Sequence, residues 1–381
     1  MTYTVFLLKK AFKSRLLITS LLLIVIIILS LLAFNIKNKN SETLITNAEN
    51  QIVFDNKQIK QGLPDRSQAN QDNIKLLKKD IKANQHIKYL IHKKQWQSAY
   101  KAQISYNNGQ LGAENNSKVI DKQLVNLLMS ENYRCNFLAK LNLSEQSRTS
   151  PTTGISFSIF TDQVISAVLI PLLLIFNLGL LYDKRFARSI DKDNLLPMSI
   201  GTNVIQNIEA GIGIALLFVL VVIVTSFISA SAISGIGKWH YPIAFFDFKI
   251  PFNLYISQGN LIGPILIMRI LTVCFIVTFV YFIAMIIKQA LPVVLISTIG
   301  LIGTNLVTPY FKPLAKLGQY LPTSYFNGVN IVSGQLAHET RNIHFNYING
   351  IISLIVWTIF FLTMIYLIMK IKQRSFDTNQ F

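Results

Sequence analysis

Three clusters in this 381-residue chain have residue types and spacings that invite chemistry. His338-Glu339-Thr340-Arg341-Asn342 has the opening of a zinc-hydrolase helix, in which two histidines four residues apart hold the metal and the glutamate beside them activates water. Position 342 is Asn, however, and His344 lies six residues from His338, off the shared helix face. An ordinary polar loop accounts for the segment. A second cluster, Gly235-Ile236-Gly237-Lys238-Trp239, resembles a phosphate-wrapping loop but lacks both the four residues between glycines and the hydroxyl after the lysine. No Ser or Cys sits in a nucleophile frame. The third cluster is a pair of opposite charges, Asp162 and Arg269, set in apolar surroundings, where the chemistry is electrostatic and not covalent. The chain is therefore expected to hold no catalytic, cofactor or metal site of its own, and to be no enzyme.

The elements that must position these residues are membrane spans. About 20 apolar residues at 1.5 Å rise match a hydrocarbon layer of about 30 Å, and a helix satisfies its own backbone there. Six stretches qualify: Leu16–Phe34, Ser156–Tyr182, Ile208–Ala230, Leu261–Ile287, Ala290–Val307 and Tyr347–Ile371. Half of the residues are hydrophobic and the mean hydropathy is +0.42, which excludes an ordinary soluble protein. Asp162 then falls about 9 Å into the second span and Arg269 about 12 Å into the fourth, both measured from the outer end. Similar depth lets them form an intramembrane ion pair that pins an outer gate. Snorkelling of Arg269 to the headgroups is the simpler reading. Gly263, Pro264, Pro171 and Pro292 in or near the spans allow kinks without identifying a cargo.

The fold expected is an all-α polytopic membrane protein: an N-terminal interfacial segment and first span over 1–35, a mostly helical extracellular domain over 36–155, and the remaining five spans over 156–381. The first span is longer than a signal-peptide core and is followed by no small-residue cleavage site. Ahead of it, Tyr3–Arg15 mixes apolar and basic residues, as a surface helix or a frayed leader would. With both termini cytoplasmic, the inner segments hold twelve Lys and Arg and the short outer ones five, which sets the orientation. The 36–155 domain carries 18 Lys and Arg against 10 Asp and Glu, an excess suited to anionic envelope components or to a solvated surface, and not to nucleic acid. Its helical spacing covers Ile74–Tyr100 and Lys118–Leu143, with Tyr106-Asn107-Asn108-Gly109 as a turn and Asn35–Asn73 as an extended stalk. Cys135 and Cys274 belong to opposite environments and should not pair.

Two polar segments remain. Asp183–Ser199 follows the second span and is dense in charge, with Asp183, Lys184, Arg185, Arg188 and Asp191 interleaved with Phe186, Leu195 and Leu196 before Pro197. It suits a short helix along the inner surface, serving either as a positive-inside anchor or as a docking element for a cytoplasmic subunit. Segment 309–346 carries Leu321-Pro322-Thr323-Ser324-Tyr325-Phe326-Asn327-Gly328 and is broken by Pro and Gly, as a re-entrant outer element would be.

One span, a long domain, five further spans, the charged loop ending in Leu195-Leu196-Pro197 and the Leu321–Gly328 segment together resemble the type-2 ABC exporter permeases of bacteria. The resemblance implies a plasma-membrane permease subunit paired with a second permease, identical or not, and with a cytoplasmic ABC ATPase on separate chains. That would explain the missing phosphate loop. It implies that Asp183–Ser199 holds the ATPase-coupling helix and 309–346 the outer re-entrant helices. In this chain the Glu-rich start usual for the family's loop is replaced by Lys-Arg-rich sequence. The expected function is export of an amphipathic peptide or lipid-like substrate, with membrane lipid as the surrounding partner. The alternative is a non-transport receptor or cell-envelope assembly factor that binds a ligand through its extracellular domain.

Overall fold

A computed structural model describes residues 3–62, 67–115, 120–183, 199–308 and 317–378. Helices dominate, and the chain divides into two compact units. The spanning unit comprises Met1–Ser30, Ser158–Ser229 and Leu261–Phe381; the inserted unit comprises Leu31–Phe157 with Ala230–Asn260.

The spans come first. α1 (Tyr3–Phe12) buries Leu7 and Ala11 and leaves Val5, Phe6 and Phe12 exposed, and its Thr4 Oγ1 donates to Glu209 Oε2 at 3.0 Å. Five helices are long and apolar enough to cross a membrane: α2 (Arg15–Lys37), α9 (Ile200–Ser234), α10 (Gly259–Ile287), the Ala290–Val307 run and α15 (Tyr347–Thr378). This makes the chain a multi-pass membrane protein. The Ala290–Val307 run is α11 (Ala290–Thr298), a π-helical turn over Ile299–Gly303, and α12 (Thr304–Val307).

The second apolar stretch departs from the straight span that the sequence suggests. It is two helices, α7 (Gly154–Ile165) and α8 (Leu169–Asp183), bent by 63°. Pro171 supplies the reason: it has no N–H to give the carbonyl of Ala167, and its ring would clash there. Asn305 Nδ2 donates to that freed carbonyl at 3.0 Å, so the break is satisfied by a neighbouring span.

Close backbone approach fixes the rest of this unit. At Gly211 on α9 a Cβ would run into the Tyr182 hydroxyl and come within 2.7 Å of Val277 Cγ1. Gly211→Val is expected to cost about 1–3 kcal/mol through overpacking, whereas Gly263→Ala, with nothing within 4 Å, should be neutral or better. Thermal unfolding of the two variants in the same detergent checks this. Opposite α15, Phe275, Phe279 and Phe282 of α10 surround Phe361 with ring centroids 5.1–6.1 Å apart. Before α15, residues 317–346 form short turns and helices and not one continuous element. Two 3₁₀ turns lead to α13 (Gly328–Val332) and α14 (Gln335–Thr340), separated at Gly334, whose φ is +75°.

The inserted unit is four helices in sequence, α3 (Leu44–Gly62), α4 (Gln68–His92), α5 (Trp96–Asn115) and α6 (Lys122–Leu141), each packed on its chain neighbour. Ser67 caps α4 by accepting the Asn70 N–H, and Asp121 caps α6 by accepting those of Gln123 and Leu124. The core holds Leu44, Ile87, Leu90, Ala99, Tyr100, Cys135 and Leu138. Two sequence expectations fail here. The stalk over 35–73 is mostly helical, occupied by α3 and the start of α4. The turn proposed at Tyr106–Gly109 lies within α5, because its asparagines are spent between helices: Asn107 Nδ2 donates to Asn132 Oδ1, and Asn132 Nδ2 to Asn108 Oδ1, both at 2.9 Å. The real reversal is at Lys93–Gln95, with Lys94 at φ +57°. The segment between α9 and α10 adds to this unit. It forms a two-stranded antiparallel sheet, β1 (Pro242–Phe245) with β2 (Leu254–Ser257), that packs on α6 and adds Tyr241 to the core.

Candidate functional site

Asp162, on the last turns of α7, and Arg269, on α10, are brought together. Arg269 Nε and Nη2 both donate to Asp162 Oδ1, at 3.0 and 2.7 Å, and Nη1 reaches the Phe326 carbonyl at 3.4 Å. The Arg269 side chain is 3% exposed, so this guanidinium is buried and does not snorkel. A charge so placed needs its partner, since an isolated ion in a low-dielectric interior is costly.

Carboxamides extend the cluster. Gln163, the next residue, donates through Nε2 to Asn330 Oδ1 at 2.7 Å and to Gln335 Oε1 at 3.2 Å, and its main-chain carbonyl accepts from Asn327 Nδ2 at 2.9 Å. Asn327 also caps α13 by accepting the Asn330 N–H. The short helices before α15 are thus tied to α7 by side chains that carry no charge. Sequence reasoning missed them, although Asn327 stands in the Leu321–Gly328 segment. The available signal was a carboxamide adjoining a charge inside an apolar run. Around the pair, Asp162 Oδ2, Thr161 Oγ1, Ser166 Oγ and Thr272 Oγ1 are buried and have no hydrogen-bond partner among the described residues. The network is anchored but not saturated.

The inserted unit has a second buried charge cluster. Arg134 Nη2 donates to Glu131 Oε1 at 2.7 Å and to Glu145 Oε1 at 2.5 Å, while Arg148 pairs with Glu131 Oε2. Glu145 Oε2 accepts the Leu44 N–H at 2.7 Å and so caps the start of α3. Burial works to raise the Glu131 carboxyl, but Arg134 and Arg148 outweigh it and hold the group below its ordinary range. Burial, followed by Glu131, pushes the Cys135 thiol well up. Burial also pushes Tyr241 up to about 12, and its hydroxyl accepts the Gln146 N–H at 2.8 Å. These groups form a structural lock between α6, the chain after it and α3.

The two sequence motifs that resemble a phosphate loop and a zinc helix take the following places. Gly235 and Gly237, at φ +79° and +89°, form a turn whose carbonyls at 235 and 236 accept the N–H groups of Gly154 and Ile155 at 3.0 Å. They satisfy the open first turn of α7. His338 lies in α14, which ends before Arg341 at φ +51°, so His344 is on a different stretch. Among the described residues no group of three or more His, Cys, Asp or Glu is placed to hold a metal ion. Of the charged loop, Asp183 is the last residue of α8 and Ser199 precedes α9. Residues 184–198, including Lys184, Arg185, Phe186, Arg188, Asp191, Leu195 and Leu196, lie outside the described residues.

No protein-family model, curated protein or solved structure matches this chain.

Proposed function

We propose that this chain is the membrane-spanning permease subunit of an ATP-driven exporter in the bacterial plasma membrane, moving an amphipathic peptide or lipid-like substrate outward. ATP is hydrolysed on a separate cytoplasmic ABC ATPase, and a second permease completes the pathway. The observation that carries the reading is the attachment of α13 and α14 to the bent second span through Asp162–Arg269 and the carboxamides of Gln163, Asn327 and Asn330. A re-entrant element fastened by polar groups inside an apolar unit has the makings of a gate. The polar bonds hold one arrangement, and the unpaired Asp162 Oδ2 and Thr272 Oγ1 are available to bond in another. In this scheme the inserted unit is extracellular, the termini are cytoplasmic, and the 183–199 loop receives the ATPase.

Affinity purification of the detergent-solubilised chain, with mass spectrometry of what accompanies it, tests the proposal. An ATPase should be recovered with the intact chain and be absent when 183–199 is scrambled. Its absence from intact, monodisperse protein would sink the exporter reading and favour an envelope receptor acting through the inserted unit.

A further inference from the structure

The inserted unit contains a half-open cleft of about 310 Å³, lined in part by Glu131 and Arg148 of the charge lock and independent of any transport reading. Its walls are two ridges of carboxamides. Asn47 and Gln51 stand four residues apart on α3, and Gln103, Asn107 and Gln110 follow one stripe of α5. From Gln103 to Gln110 the α5 ridge runs about 10 Å.

How these amides are tethered decides what they offer. Gln51 Nε2 donates to Asp55 Oδ1, Gln103 Nε2 to Asn107 Oδ1, and Gln110 Nε2 to the Tyr106 hydroxyl, at 2.7–2.8 Å. Each glutamine is held by its nitrogen, which leaves its carbonyl oxygen as the acceptor presented to a ligand. Asp55 is 1% exposed, and its Oδ2 has no partner among the described residues, so Gln51 is anchored on a buried, under-satisfied carboxylate. Of the charged residues that line the cleft, Glu131 is bound to Arg134 and Arg148, and Glu42 is an exposed carboxylate that disfavours acidic side chains in the ligand.

We infer that this cleft binds an extended stretch of polypeptide without acidic side chains through its main chain, with the Gln51, Gln103 and Gln110 carbonyl oxygens accepting backbone N–H groups. An extended chain advances about 3.3 Å per residue, so the α5 ridge spans about three residues. Leu127, 64% exposed on the rim, gives an apolar contact for one side chain. A saccharide would also donate hydrogen bonds, but it takes much of its binding from stacking on an aromatic face. Tyr106 is the one aromatic residue lining the cleft; it is half-buried against the domain core with its hydroxyl accepting from Gln110, which leaves only part of its ring for stacking. The observations favour peptide.

The test is saturation-transfer NMR on the full chain in detergent micelles, with empty micelles subtracted. The probe is a set of N-acetylated, C-amidated pentapeptides of Ala, Ser, Gly and Leu. Transfer to the peptides is expected, and should fall about fivefold or more when their main-chain nitrogens are methylated. A similar fall is expected in Asn47→Trp and in Leu127→Trp. Both positions are exposed on the rim, so either variant fills the cleft without entering the core. Helicity and elution volume verify each fold. Absence of transfer, transfer insensitive to N-methylation or to both variants, or transfer to maltotetraose in place of the peptides would each overturn the inference.

Discussion

Arg269→Met should lower the stability of the spanning unit by about 3–5 kcal/mol, the range for leaving a buried charge without its partner. Asp162 would then keep a carboxylate inside an apolar bundle, and the Phe326 carbonyl would lose the Arg269 N–H. Asp162→Leu should be at least as damaging, because the guanidinium it strands is 3% exposed and cannot reach water without unpacking α10. The double variant discriminates the mechanisms. An apolar pair of similar volume is often neutral relative to a buried ion pair, so Asp162→Leu with Arg269→Met should recover more than half of the loss. Unfolding of all four proteins in mixed micelles gives the coupling directly. Additive losses would mean that the two residues act separately. Recovered stability without recovered function would assign the pair to gating and not to packing.

Arg134→Met should cost the inserted unit a comparable amount, about 3–5 kcal/mol. It removes the shared partner of Glu131 and Glu145 and, through Glu145, loosens the cap on α3. The wild-type unit also has a sign-defined pH dependence. Glu131 has a folded value below its ordinary 4.5, so its contribution is fully present above that unfolded value. It is lost as pH falls from about 4.5 through the lowered folded value. Urea midpoints of the wild type should therefore fall below about pH 4.5, and the Glu131→Gln variant should show a shallower fall. A midpoint that rises on acidification would show that Glu131 is not held by its arginines.

The spans were legible because an apolar run of bilayer length has one physical solution. The Asp162–Arg269 pair was legible as a question of depth alone, since opposite charges at similar depth on two spans have few other partners. The bend after α7 was not, because the sequence shows Pro171 but not Asn305, 138 residues beyond Ala167, which satisfies the Ala167 carbonyl that the proline frees. Nor was α3, whose first turn is capped by Glu145, 101 residues on. Asn107 and Asn108 misled for the opposite reason. Their local preference for a turn is real, but bonds to Asn132 in the adjacent helix outweigh it. In each case the deciding contact was long-range and polar, which periodicity does not encode.

The angle between α7 and α8 also sets how much membrane the second span can occupy. A straight helix through all 30 residues from Gly154 to Asp183 would measure about 45 Å. With α8 along the bilayer normal and α7 inclined by 63°, the vertical reach is about 30 Å, the thickness of the hydrocarbon layer. For a pair that crosses as one broken span, the elbow shortens the vertical reach by about 15 Å relative to a straight helix. Straightening would drive apolar residues into the headgroups or force the surrounding lipid to thicken, at a cost that rises with each ångström of mismatch. For such a span, membrane thickness is a load on the hinge at Ser166–Val168, and lipid composition becomes a variable that acts on the elbow.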